Sequence, residues 1–286
     1  MADTTKIQWT DKTWSPWQGC TKVGPGCDHC YAEALLDTRL HKVQWGAGQP
    51  RVHTVNWDSP RRWNKQAAKD GHRIKVFPSI CDPFDNEVPD DWRTRFFRLI
   101  EDTPNLDWLL LTKRIGNASK MIDNVLRNYG CPFAYDAWPW PNVWIGATVV
   151  NQEEADRDIP KLLATPAAKR FISYEPALEP VDLRKLMTDY TCIDALSGFV
   201  MYKDMASGGL GYALAEKLPK KLDWVIAGGE SGPKARPAHP DWFRSLRDQC
   251  ASAVVPFFMK QMTKLAPIPS DLFVRQFPEQ EVNHAV

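Results

Sequence analysis

The stretch DWLLLTKRIGNASKMIDNVLRN (107–128) decides the fold, because it joins a short apolar run to an amphipathic segment. Residues 107–113 contain consecutive leucines, which is typical of a strand buried on both faces. Residues 116–128 place apolar side chains three and four positions apart, which is the period of a helix with one buried face. A strand followed directly by a helix indicates a β/α unit, in which the next strand lies parallel to the first.

The same unit recurs along the chain. Further strands are predicted at IKVFPSI (74–80), NVWIGATV (142–149), AKRFISYE (168–175), LDWVIAGG (222–229) and VVPFFMK (254–260), with an earlier one near 13–18. Helices are predicted near 90–101, 152–164, 181–187 and 240–253, and another begins at Tyr31. We therefore predict an α/β fold with about six to seven parallel strands covered by helices, either doubly wound or closed as a barrel.

Two stretches interrupt this alternation. Residues 41–73 and 188–221 are too long for simple turns, and we predict inserts there, such as lids or binding loops. We expect residues 1–266 to form a single domain and the polar residues 267–286 to form a fraying tail.

Composition and charge narrow the classes of partner. The net charge of +1 predicts no strong field around the whole molecule, although the segment RRWNKQAAKDGHRIK (61–75) is locally basic. Such a run is usually a solvated helix face, but with Trp63 it also suits phosphates and an exposed base. The chain contains no apolar run of about 20 residues and no signal-peptide pattern at its start, so we expect a cytoplasmic protein outside the membrane.

Polar residues follow six predicted strands, at the end where ligands collect in parallel α/β folds. Any one of these residues taken alone fits a turn or a helix cap. The strand ends carry Cys81 and Asp82, Thr112 to Arg114, Thr148 with Asn151, Tyr174 and Glu175, Glu230 and Ser231, and Lys260 and Gln261.

Three cysteines are bunched in GCTKVGPGCDHCYAE (19–33), with the spacing Cys20-x6-Cys27-x2-Cys30. Structural zinc requires four ligands, and a fourth is not evident near these three. A thioredoxin-like redox pair uses two cysteines and leaves Cys20 unexplained. A 4Fe–4S cluster held by three thiolates, with one iron open, explains the count, and local spacing alone favours it and zinc equally. Single cysteines also occur and are expected to be mostly packing residues: Cys81, Cys131, Cys192 and Cys250.

The cysteine loop and the blocks that follow it resemble the radical SAM superfamily. The ending CDHCYAE resembles the spore photoproduct lyase branch, although the six-residue first gap departs from the usual C-x3-C-x2-C spacing. The whole set of blocks resembles a phage-associated family of radical-SAM-like proteins of unknown function. These blocks are IQWTDKTWSPWQGCTKVGPGCDHCYAE (7–33), WLLLTKR (108–114), FISYEPALEPVDL (171–183), WVIAGGESGPKARPAHPDWFRSLRDQC (224–250) and VPFFMKQ (255–261).

This resemblance implies a partial (β/α) barrel of radical SAM type and an enzyme with two cofactors, a 4Fe–4S cluster and S-adenosylmethionine. A one-electron donor such as flavodoxin or ferredoxin would reduce the cluster, and a 5'-deoxyadenosyl radical would abstract hydrogen from the substrate. The implied metal ligands are Cys20, Cys27 and Cys30, and the implied S-adenosylmethionine contacts are Ser79, Asp82, Lys113, Arg114, Thr148, Asn151 and Glu175. The implied catalytic residues are Glu230, Lys260, Tyr174 and Cys81, and Arg236 and His239 would bind the substrate.

The phage association further implies that the enzyme works in the cytoplasm of a host cell, with DNA as its partner. The predicted reaction modifies or isomerises an amino-acid-bearing thymidine derivative, and a duplex substrate would require base flipping. Tryptophan side chains would offer stacking surfaces at Trp45, Trp57, Trp63, Trp138 and Trp140, although buried packing is the ordinary use of this residue. Two alternatives remain: a radical SAM enzyme acting on a small metabolite or peptide, and a zinc-containing nucleic-acid-binding module without catalysis.

Overall fold

The computed structural model describes residues 5–128, 137–203, 212–218, 220–232 and 234–278. The strands in chain order are β1 (Lys12–Thr13), β2 (Trp17–Gln18), β3 (Val52–His53), β4 (Ile74–Phe77), β5 (Leu106–Thr112), β6 (Val143–Thr148), β7 (Lys169–Tyr174), β8 (Leu186–Met187), β9 (Thr191–Asp194), β10 (Phe199–Lys203), β11 (Tyr212–Lys217), β12 (Trp224–Gly228) and β13 (Phe257–Gln261). The helices are α1 (Tyr31–Glu33), which continues as a π-helix (Ala34–Arg39), α2 (Asp58–Asp70), α3 (Asp90–Glu101), α4 (Ile115–Arg127), α5 (Gln152–Ala164) and α6 (Pro240–Ser252).

Seven strands form one parallel sheet in the order β1-β4-β5-β6-β7-β12-β13. Every neighbouring pair in this sheet is parallel, and the spatial order follows the chain order. A chain that adds each strand to the same edge, with helices between, winds in one direction and curls into a half-barrel. The predicted partial (β/α) barrel is therefore confirmed.

The sheet separates two apolar layers, because side chains alternate between its faces along each strand. Along β5, Trp108 and Leu110 belong to the large outer layer that packs under the helices. Leu109 belongs instead to the inner layer, on the concave face of the sheet, and Leu111 packs against it. Alternate side chains along a strand therefore point to the helices and to the inside of the barrel.

The concave face is filled mainly by aromatic rings. Trp9, Trp144, Phe171 and Trp224 form its centre, and the Phe171 and Trp224 ring centroids are 6.0 Å apart. Gly146 makes room for this packing, since a Cβ atom there would lie 2.4 Å from the Phe171 ring. These rings close the interior of the half-barrel and leave its carboxyl end open.

The two predicted inserts contain regular structure. Within 41–73 the chain forms β3 and then α2, whose buried residues include Trp63 and Ala67. The strands β8 to β11 form a separate antiparallel sheet in the order β11-β10-β9-β8. The helix predicted at 181–187 is wrong, because these residues form turns and then β8. The sequence VDLRKLM carries apolar residues at helical spacing, yet Leu186 pairs with Ile193 in the small sheet.

The polar segment after residue 266 packs on the outer edge of the main sheet as far as residue 278. Met259 donates its backbone N–H to the carbonyl of Val274 (2.8 Å), and Gln276 donates to the carbonyl of Phe257 (2.9 Å). Leu272 is fully buried. This part of the predicted fraying tail is therefore ordered and covers an edge strand, which blunts the unpaired edge of the sheet.

The basic run at 61–75 lies mostly on α2, and three of its seven basic side chains pair with carboxylates. Arg61 contacts Asp102 at 3.2 Å and Arg73 contacts Asp107 at 2.7 Å. These pairs fit the solvated helix face that the sequence also allowed. In the part of the chain that the structure describes, no helix has both the length and the apolar character needed to cross a bilayer.

Candidate metal and cofactor site

A cavity of about 220 Å³ opens where the carboxyl ends of the main-sheet strands converge. Twelve of the sixteen residues predicted as site residues line it, although they come from seven separate stretches of the sequence. They are Cys20, Cys27, Cys30, Ser79, Cys81, Asp82, Lys113, Arg114, Thr148, Glu175, Glu230 and Lys260.

The three cysteines of the loop line this one cavity. Cys27 ends a short 3₁₀ turn (Pro25–Cys27), and Cys30 lies immediately before α1. Cys27 is buried, and Cys20 and Cys30 are partly exposed to the cavity. A Cβ atom on Gly26 would lie 2.9 Å from Val150, so the turn approaches the barrel too closely for a side chain there. Glycine thus allows the cysteine loop to close over the strand ends.

The number of cysteines in the loop agrees with a 4Fe–4S cluster that has one open iron. Among the described residues, no three His, Cys, Asp or Glu side chains lie close enough together to hold one metal ion. A cluster with three protein ligands makes a different demand, because each thiolate binds a different iron around a shared volume. The loop supplies three thiols to one cavity, which is the number that such a cluster needs, and Cys81 adds a fourth thiol from outside the loop.

Burial raises the pKa of the Cys20 thiol to about 12, and the nearby Asp82 carboxylate adds to the rise while Arg114 opposes it. A metal that binds this sulfur must therefore displace a proton.

Asp82 and Arg114 form a buried pair at the wall of the cavity. Arg114 Nη1 donates to Asp82 Oδ2 (3.1 Å), and both side chains are 7% exposed. The hydroxyl of Thr112 donates to Asp82 Oδ1 (2.6 Å), and the backbone N–H groups of Phe84 and Lys113 donate to its two oxygens. Burial is the largest single influence on the pKa of Arg114 and acts to lower it, but the charges of Asp82, Cys20 and Asp85 and the hydrogen bond to Cys20 together outweigh burial and raise the pKa. Both carboxylate oxygens of Asp82 are therefore occupied by hydrogen bonds, which fix Arg114 and the end of β5.

The remaining donors of Arg114 reach the cysteine loop. Its Nη2 donates to the carbonyl of Thr21 (2.6 Å), and its Nη1 lies 3.3 Å from the Cys20 sulfur. The hydroxyl of Thr21 is itself bound by Arg51 (2.8 Å), a fully buried arginine. The loop around Cys20 is therefore held to the barrel by two guanidinium groups.

A second group of charges, which we name the clamp, consists of Glu230, Arg236, His29 and Asp28. Arg236 donates to both carboxylate oxygens of Glu230, at 2.7 and 3.1 Å. Arg236 also contacts Asp28 at 3.0 Å and the carbonyl of Pro25 at 2.8 Å. His29 Nδ1 lies 2.9 Å from Glu230. Burial alone would raise the pKa of Glu230, but the hydrogen bonds from Arg236 and His29 lower it to about 2. The clamp ties the loop between Cys27 and Cys30 to the loop after β12.

The rest of the lining includes an ion pair between Lys260 and Glu175 and the ammonium group of Lys113. Lys260 pairs with Glu175 across the ends of β13 and β7. The Lys113 ammonium makes no hydrogen bond or ion pair to other residues within the described part of the chain. Small polar side chains line the same cavity, namely Ser79, Thr148 and Ser173. Burial raises the pKa of the Cys81 thiol, so this group stays protonated.

Four predicted site residues do not line the cavity. The hydroxyl of Tyr174 donates to the carbonyl of Glu179 outside the sheet, because the alternation along β7 directs its ring toward the helices. Asn151 caps α5 by accepting the N–H of Glu154 (2.9 Å), and His239 caps α6 with more than half of its side chain exposed. Arg236 belongs to the clamp, at the rim.

The cavity also contains residues that the sequence did not single out for it. His29 and Ser173 line it, together with Trp9 and Phe77 of the concave face. The alternation along β7 could have predicted Ser173, because Phe171 and Glu175 share its face. Among the tryptophans considered for stacking, Trp45 lines the cavity. The others pack against or within the outer apolar layer: Trp57, Trp63, Trp138 and Trp140.

The chain matches the family model described as "Protein of unknown function (DUF5131)" over residues 4–281. It belongs to the DUF5131 family. Neither the curated proteins nor the solved structures contain a match to it.

Cys131 lies outside the described residues, so nothing is assigned to it.

Proposed function

We propose that this DUF5131 protein is a radical SAM enzyme that holds a 4Fe–4S cluster on Cys20, Cys27 and Cys30. The observation that carries the proposal is the convergence of these three thiols on one cavity at the carboxyl ends of a parallel half-barrel. When bound, the cluster would supply one electron to the sulfonium of S-adenosylmethionine, whose S–C5' bond would break to give methionine and a 5'-deoxyadenosyl radical for hydrogen abstraction. The protein contributes the ligands, the orientation of the bound groups and the exclusion of water.

The charges around the cavity suit a zwitterionic amino-acid group. Lys113 offers an ammonium that makes no hydrogen bond or ion pair with the described residues and has only a longer-range interaction with the Glu154 carboxylate, which leaves it able to bind a carboxylate. Glu175, beside Lys260, offers carboxylate oxygens to an amine or to ribose hydroxyls, and Ser79 and Thr148 offer hydroxyls. The sequence also suggested Arg114 and Asp82 for S-adenosylmethionine, but their hydrogen bonds support a role in holding the cysteine loop instead.

The floor of the cavity keeps water from the reacting atoms. Ile7, Trp9, Phe77 and Leu111 line its inner end. Trp9 and Phe77 pack with ring centroids 4.5 Å apart. A dry floor below the three cysteines would protect a reactive species from solvent.

For the substrate we propose an amino-acid-bearing thymidine derivative in DNA. Trp45 lines the cavity and is partly exposed, so it could stack on a flipped base. Lys22 also lines the cavity; its side chain is 45% exposed and its ammonium pairs with Glu33 at 2.9 Å, so a phosphate would bind there by replacing or sharing that pair. A small metabolite or peptide substrate would use the same cavity without the strand contacts.

The test is anaerobic reconstitution with iron and sulfide, followed by incubation with S-adenosylmethionine and dithionite. We expect release of 5'-deoxyadenosine, measured by chromatography and mass spectrometry. Alanine at Cys20, Cys27 or Cys30 should reduce this release by more than about 100-fold. The matched control is Cys192→Ala, which removes a buried thiol from the small antiparallel sheet and should leave the release unchanged.

Two results would contradict the proposal. One is a colourless protein that binds a single zinc and no iron, which would support the zinc-containing module. The other is unchanged release in the three cysteine variants. The DNA substrate is tested separately by adding DNA that carries the modified thymidine and analysing its nucleosides. Release of 5'-deoxyadenosine with unaltered nucleosides would reject DNA and favour the small substrate.

A further inference from the structure

We infer that Arg114 is a positioning residue that raises the reduction potential of the cluster through a hydrogen bond to the Cys20 sulfur. This inference rests on the proposed function, since it requires Cys20 to be a cluster ligand. It concerns a property of the cluster, and no step of substrate chemistry enters it.

The three cysteine sulfurs have different surroundings. Arg114 Nη1 lies 3.3 Å from the sulfur of Cys20. Within the described residues, no hydrogen bond from a cationic side chain reaches the sulfur of Cys27 or Cys30. Of the three proposed ligands, Cys20 is therefore the one whose sulfur would receive a hydrogen bond from a guanidinium group.

Arg114 is held in this position from three sides. Asp82 Oδ2 accepts from Nη1 at 3.1 Å, and the carbonyl of Thr21 accepts from Nη2 at 2.6 Å. The Arg114 backbone N–H donates to the hydroxyl of Thr112 (2.8 Å), which in turn donates to Asp82. Few rotamers are open to a guanidinium with these contacts, so its direction toward Cys20 is fixed before a cluster binds.

Burial makes this charge effective. The Arg114 side chain is 7% exposed, so water screens its field less than at the surface. A bound cluster would gain one negative charge on accepting one electron from a low-potential donor, such as ferredoxin, flavodoxin or dithionite. The donor loses that electron and no proton moves in the step. The buried Asp82 carboxylate, 3.1 Å from Arg114, acts on Cys20 in the opposite sense. The cation and N–H group of Arg114 offset this charge and stabilise the more negative state, so the potential is higher than it would be with Asp82 alone.

The experiment is a redox titration of the reconstituted protein, in which the reduced cluster is followed by electron paramagnetic resonance. In Arg114→Gln we expect the reduced-to-oxidised ratio at a fixed potential to fall by roughly tenfold, or about 59 mV for one electron. Arg114→Lys retains the charge but not the fork of donors, so its shift should have the same sign and a smaller size. The matched control is Lys113→Gln, which removes a cation from the same cavity without touching a cysteine sulfur.

A larger shift in Arg114→Gln than in Lys113→Gln supports the inference. An unchanged potential in Arg114→Gln, or an equal shift in both variants, overturns it. Should Arg114→Gln fail to fold or to bind iron, the potential of Arg114→Lys decides, and a wild-type value would overturn the inference. Failure of the proposed function looks different, because the wild-type protein itself would then form no cluster.

Discussion

Replacing Glu230 with glutamine tests whether the clamp stabilises the cysteine loop through charge. The variant keeps the shape of the side chain and removes the negative charge that Arg236 and His29 contact. Lowering a carboxyl pKa from 4.5 to about 2 stabilises the folded state by about 3 kcal/mol at neutral pH, at 1.36 kcal/mol per pKa unit. Glu230→Gln should lose stability on this order at pH 7.

The pH dependence follows from the direction of the shift. The pKa of Glu230 is lower in the folded protein than in the unfolded chain, so the stabilisation is complete above pH 4.5 and is lost toward pH 2. The deficit of Glu230→Gln should therefore fall to less than half by about pH 3. Urea unfolding followed by circular dichroism at both pH values measures it.

The control for this prediction is Glu179→Gln, at an exposed position outside both the clamp and the cysteine loop. It should change stability by no more than about 0.5 kcal/mol. A Glu230→Gln deficit that is the same at pH 7 and pH 3 would refute the electrostatic origin of the effect. A Glu230→Gln variant as stable as wild type at pH 7 would refute the clamp.

Three further substitutions test the packing around the site. Gly26→Ala should lower the iron content after reconstitution, because its Cβ would lie 2.9 Å from Val150 and push the cysteine turn away; wild-type iron content would contradict this. Gly146→Ala should cost about 1–3 kcal/mol in urea unfolding, since the Phe171 ring occupies the space of the new methyl group, and an unchanged midpoint would count against it. Tyr174→Phe should lower the free energy of unfolding by about 1 kcal/mol, because it removes the hydrogen bond to the carbonyl of Glu179, and should leave the iron content at the wild-type value. Loss of iron in this variant would instead indicate that Tyr174 acts at the site.

The sequence predicts the main sheet because its strands are buried on both faces and are separated by amphipathic helices. The segments 106–112 and 143–148 are almost wholly apolar, and each is followed by a helix within a few residues. The convergence of the cavity residues follows from the same regularity. Parallel strands end at the same edge of a sheet, so residues after β4, β5, β6, β7, β12 and β13 meet without any sequence proximity.

The direction of individual side chains was harder to predict. In β7 every residue from Arg170 to Tyr174 is buried, so hydrophobicity does not reveal which positions face the barrel interior. Tyr174 and Glu175 are neighbours in sequence, yet the pleat sends them to opposite faces. Asn151 and His239 stand at strand–helix junctions, where a side chain can cap the helix or point into the cavity. Both of them cap helices.

Long-range pairings leave no local signal in a single sequence. His29 and Glu230 are 201 positions apart, and nothing in CDHCYAE or GGESG indicates their contact. The small antiparallel sheet was missed for a related reason. Its strands β8 and β9 are only 2 and 4 residues long, which is too short for a period to appear.

The most direct test of the account is Mössbauer spectroscopy of protein reconstituted with ⁵⁷Fe under anaerobic conditions. We predict the spectrum of one 4Fe–4S cluster, in which one iron site changes when S-adenosylmethionine is added, because the cysteine loop supplies three ligands and the fourth thiol of the cavity, Cys81, lies outside that loop. Cys192→Ala should give the same spectrum, and Cys30→Ala should lose it. A spectrum without such a cluster, or one in which no iron responds to S-adenosylmethionine, would contradict the central claim.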